Sequence, residues 1–103
     1  MPASLVQTFR AMTHNNAWAN HRLLTACSAL TQTEFEAPRT GFFGSIQATL
    51  NHNLVVDWFY VDALEGGDLG PRAWADRLPC RTMAELTGRK PTWTGGWCRI
   101  AAA

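Results

Sequence analysis

Six side chains in this 103-residue chain have the ligating or nucleophilic character that metal and covalent chemistry need: His14, His21 and His52, and Cys27, Cys80 and Cys98. The cysteines are odd in number, far apart and never in a C-x-x-C pair, which argues against a disulfide framework and against a structural zinc site. They read as reduced thiols. Cys27 falls on an apolar helical stripe with nothing nearby in sequence to lower its pKa, so it reads as inert packing. His52 is different, because it sits with Thr49, Asn53 and Asp57 inside a wide apolar arc, and polar groups removed from water need partners. Its ring should point between helices. Taken alone, a core histidine is more often a hydrogen-bonded structural residue than a metal ligand, and both readings stay open on spacing alone. Asp57 lies on the other side of the same arc, nearer Ile46 and Leu64, and reads as a capping or salt-bridge partner for another helix rather than a ligand beside His52.

Two helices must position these residues. Leu5, Phe9, Met12, Ala19, Leu23, Cys27 and Leu30 recur at three- and four-residue steps, with Asn16 and Ala26 filling the same stripe, which predicts an amphipathic helix over about residues 4–30. Ser4 and Gln7 fit a capping box at its start, and Thr31-Gln32-Thr33-Glu34 with Pro38 makes a soft end. Trp18 and His21 fall beside the stripe as boundary residues with a wet edge. A second helix is predicted over about 45–65, capped by Ser45 and stopped by Gly66-Gly67. On its wheel Gln47, Asn51, Asp62 and Glu65 gather on one narrow polar arc interrupted by Trp58, and the rest is apolar, so it must touch more than one neighbour. The two helices are expected to pack antiparallel through Leu5, Phe9, Met12, Leu23, Ile46, Leu50, Val61 and Leu64. Residues 67–82 read as loop with at most short helical turns.

Composition excludes several classes. Nine Lys plus Arg against eight Asp plus Glu gives a formal charge of +1, so no strong field recruits nucleic acid or anionic lipid. Hydrophobic residues at 47% and charged residues at 17% belong to a globular domain, and no apolar run approaches the ~20 residues that cross a bilayer. The expectation is a cytoplasmic protein with no membrane and no nucleic-acid partner. There is no G-x-S-x-G, P-loop or G-x-G-x-x-G; Gly66-Gly67-Asp68-Leu69-Gly70 follows a helix rather than a strand, and Arg72, Arg77 and Arg81 alternate with acids on a solvated connector.

Three strings in order carry a resemblance: Ala17-Trp18-Ala19-Asn20 with Arg22-Leu23-Leu24, then Phe42-Phe43-Gly44-Ser45-Ile46, then Thr49-Leu50-Asn51-His52. With Asp57 and Leu64-Glu65-Gly66 they resemble the DinB family, the damage-inducible-type proteins related to thiol transferases, over roughly residues 5 to 86. The resemblance implies an all-α, up-down-down-up four-helix bundle holding a divalent metal, zinc or nickel, on three histidines. His52 matches the ligand of the second helix; the other two come from an H-x-x-x-H pair on the last helix. Three imidazoles with an open position suit activation of water or of a small thiol substrate, hence a metal-dependent hydrolase or thiol transferase. This chain departs from the pattern. No histidine follows His52, His14 and His21 lie where the family has no ligands, and Asn15 stands where the family often has Tyr. One imidazole does not hold a metal tightly in water, so the complete site is expected to be absent from this chain.

The resemblance fades at Gly88, where Gly88-Arg89-Lys90-Pro91-Thr92-Trp93-Thr94-Gly95-Gly96-Trp97-Cys98-Arg99 brings helix breakers and no helical period. Read from the third base of each codon, the same stretch can encode Asp-Val-Asp-Arg-Arg-Leu-Val, a plausible amphipathic helix. The expectation is therefore a family-like part over residues 1–87, two long helices of an incomplete bundle, and an irregular, out-of-frame tail over 88–103; a genuine short form is the rival account. Two other functions compete with the metal-dependent one. The helices could form an association module that buries its apolar faces by homodimerisation, with Trp18, Trp58 and Trp74 as contact residues, or the chain could be a non-functional truncated product.

Overall fold

The structure, a computed structural model, describes residues 3–89. Helix α1 spans Ala3–Cys27, α2 spans Gln32–Glu36 and α3 spans Ile46–Leu64. A 3-10 turn follows at Gly70–Trp74, and α4 occupies 83–89 at the edge of the described residues. No strand occurs among the described residues, which form an all-α, incomplete helical bundle with two long N-terminal helices. No helix among them is long and apolar enough to cross a membrane.

Local chemistry explains the breaks. Thr31 accepts from the Glu34 backbone N–H at 3.1 Å, and the Glu34 carboxylate accepts from the Thr31 N–H at 2.8 Å. That reciprocal capping box starts α2 as a separate helix where the sequence reads only as a fraying end. Ser4 does not cap α1 as expected; it lies inside the helix, and its carbonyl accepts from the Thr8 hydroxyl at 2.9 Å. Ser45 caps α3 as expected, accepting from the Ala48 N–H at 2.9 Å. At the other end the Gly66 N–H donates to the Ala63 carbonyl at 3.2 Å and the Gly67 N–H to the Asp62 carbonyl at 2.8 Å. This Schellman pair needs a left-handed residue at Gly66, where φ is +85°. Residues 67–82 are connector with one short turn, as read.

The core sits at one end of the helix pair, where Leu24, Phe35, Leu50, Leu54, Cys80 and Leu86 are buried together and Cys27, Ile46 and Met83 pack against them. Leu23 and Cys27 share a cleft with Ile46 and Leu50, whereas Asn16 and Asn20 share one with Asn53 and Asp57. Rising numbers on α1 therefore meet falling numbers on α3, and the two helices run antiparallel. The expected contact set is corrected: Leu50 and Val61 are buried, but Leu5, Phe9, Met12, Leu23 and Leu64 are exposed, Met12 by 60%. The covered side of α1 instead carries Thr13, Ala17, Asn20 and Leu24, rotated away from the most apolar stripe. The most apolar stripe of α1 is left on the open flank.

The polar arc of α3 is not a solvent strip. Asn51 is fully buried, donating to the Gln47 and Cys80 carbonyls at 2.8 Å each and accepting from the Cys80 N–H at 2.8 Å. Gln47 donates to the Arg81 carbonyl at 3.1 Å. Asp62 accepts from the Leu69 N–H at 2.9 Å. Three side chains of that arc thus replace water for the backbone of the connector, which is why it is polar and yet covered.

Helix α4 begins on Thr82, whose hydroxyl accepts from the Glu85 N–H at 3.1 Å, and it is anchored by the fully buried Leu86. Gly88 and Arg89 remain helical, which corrects the expectation that irregular structure begins at residue 88. Glycine lowers helix stability by about 1 kcal/mol relative to alanine, an amount that the cap and the anchor offset. The rest of the expected tail, 90–103, and the alternative-frame stretch lie outside the described residues.

Candidate functional site

His52 lies on the side of α3 turned away from the docked connector. It is exposed, and its ring stacks on Phe43 with centroids 4.2 Å apart and planes 26° apart. Phe43 in turn meets Phe42 edge-on at 5.0 Å. The loop carrying both phenylalanines is closed by the Arg39 N–H donating to the Gly44 carbonyl at 2.7 Å, immediately before the Ser45 cap. The cap that starts α3 thus also sets the ring that braces His52.

A cleft of about 250 Å³ opens beside that ring, lined by Asn16 and Asn20 of α1 and by His52, Asn53, Val56 and Asp57 of α3. Asn16 and Asn20 are one helical turn apart and joined by a 3.4 Å amide hydrogen bond from Asn20 Nδ2 to Asn16 Oδ1. On α3 two further one-turn pairs, His52 with Val56 and Asn53 with Asp57, face them. Asp57 therefore lines the same cleft as His52, against the expectation that it serves elsewhere. Their positions differ by about 140° on the wheel, and Val56 and Asn53 fill the arc between them.

The other reactive side chains stay apart from this cleft. His14 and His21 are exposed on α1, with His21 stacked on Trp18 at 6.4 Å and the Arg22 guanidinium 5.7 Å from the same indole centroid. Trp18 is exposed, Trp58 half-buried, and Trp74 leans on Phe59 at 5.0 Å. Cys27 packs against the core as expected and lines a second cleft of about 350 Å³ with Leu23, Ile46 and Leu50. Cys80 is buried, and burial pushes its thiol pKa up, with Arg89 opposing. That keeps it protonated and unreactive. Arg72 pairs with Asp68 across one turn at 3.5 Å on the exposed connector, the solvated role read for it.

As a metal centre the donor set is partial. The cleft offers one imidazole and one carboxylate, and among the described residues no group of three His, Cys, Asp or Glu side chains is gathered to hold an ion. The described residues do not fit a closed three-ligand centre. Asn20 and Phe43 were present in the recognised strings without a role. Asn16 fills the apolar stripe on spacing alone, and its one-turn spacing to Asn20 is the signal that marks a shared polar face.

No curated protein and no solved structure matches the chain. The model of the DinB family matches residues 1–94, past Gly88. A match over that share of the 103 residues shows that the chain belongs to the DinB family.

Proposed function

We propose that this chain contributes His52, one of three imidazole ligands, to the divalent metal, zinc or nickel, of a cytoplasmic DinB-type protein of the hydrolase or thiol-transferase kind, and that it does not itself carry the complete site. The observation that carries the reading is the placement of His52 on the mouth of a polar cleft between α1 and α3, exposed and braced by Phe43 rather than used up in the core. An exposed ring at a cleft is open to a ligand in a way that a ring enclosed in packing is not. Where all three ligands are present, a metal held there would supply Lewis-acid chemistry toward water or a thiol. Phe43 orients the ring, and the Asn16, Asn20, Asn53 and Asp57 groups offer hydrogen bonds to a small-molecule substrate. No histidine follows His52 in the sequence given, so an H-x-x-x-H pair is what a frame restored at Thr87 is expected to supply.

Metal stoichiometry after dialysis tests this in four samples: the 103-residue chain and a frame-restored chain, each with and without His52→Ala. The restored chain should retain about one metal and lose most of it on substitution, while the short chain should change little. Equal retention by the restored chain with and without His52 refutes the assignment.

A second reading, association of the chain with a copy of itself, is favoured by the exposed Leu5, Phe9 and Met12 at helical spacing on the open flank of α1. Helicity that rises with protein concentration supports it; a concentration-independent monomer rejects it.

A further inference from the structure

We draw no further inference here: the strongest candidate, the exposed apolar stripe of Leu5, Phe9, Met12 and Leu23 on the open flank of α1, is an unpartnered helix face, and nothing in the structure shows what covers it.

Discussion

Two faces of α3 carry polar residues in adjacent positions with opposite fates. On one face Gln47, Asn51 and Asp62 bond the backbone of the 67–82 connector and hold it against Leu54 and Val61. On the other, Thr49, His52 and Asn53 are exposed, and the latter two line an open cleft. Asn51 and His52 are neighbours in sequence, so neither residue type nor local propensity sets the difference. What differs is whether the chain's own backbone arrives to satisfy the side chain. Polar groups bonded by backbone stabilise the fold, and polar groups left facing a cavity are available to a ligand.

Truncation on the docked face should give the largest effect. Leu54→Ala removes a fully buried side chain from the core between α1, α3 and residues 80–86 and should cost about 3 kcal/mol in urea unfolding, whereas Val56→Ala on the cleft side should cost under about 1 kcal/mol. Similar losses for both would mean that the cleft side is packed as tightly as the core. A smaller effect belongs to Gly66, whose φ of +85° closes α3 and launches the connector. Gly66→Ala should lower stability by about 1 kcal/mol, read as a shift in midpoint without a change in slope. Gly67→Ala acts on the same corner, because a Cβ there would run into the Asp62 carboxylate and push it off the Leu69 N–H.

The smallest effect is the acid dependence of the α2 cap. The Thr31 backbone N–H, and then its hydroxyl, hold the Glu34 carboxyl below its ordinary value of 4.5. A carboxylate whose pKa is lower folded than unfolded adds stability above its unfolded value and loses it as pH falls through the folded one. Carbon-detected titration should show Glu34 below 4.5, and Thr31→Ala, which removes the hydroxyl but keeps the backbone N–H, should raise it part of the way. An unchanged Glu34 titration in that variant would remove the Thr31 hydroxyl as a contributor and leave the backbone N–H alone as the cause.

How much of this was legible in the sequence depends on how local each cause is. Ser45, Gly66 and the helical repeat act within a few residues, and the bounds of α3 and its caps follow from them. Asn51 was unreadable as a core residue because its partner, Cys80, is 29 positions away, and a polar residue on a wheel looks like a wet one. The covered side of α1 was misread for a related reason. Large apolar residues mark a face that wants burial, while the side turned toward α3 carries Asn16, Asn20 and Leu24. His52 and Asp57 were assigned different sides because a wheel ranks residues by angle from one centre; the cleft spans the whole arc between them.

The contrast between the two faces rests most directly on Asn51 and His52. Urea unfolding of Asn51→Ala and His52→Ala, measured side by side with the unsubstituted chain, compares them at adjacent positions. Asn51→Ala leaves the buried Cys80 N–H and carbonyl without their partner and should lose about 3 kcal/mol. His52→Ala gives up only the stacking on Phe43 and should stay within about 1 kcal/mol of the parent. A loss at His52 as large as that at Asn51 would make His52 a structural histidine and contradict its place at a functional cleft.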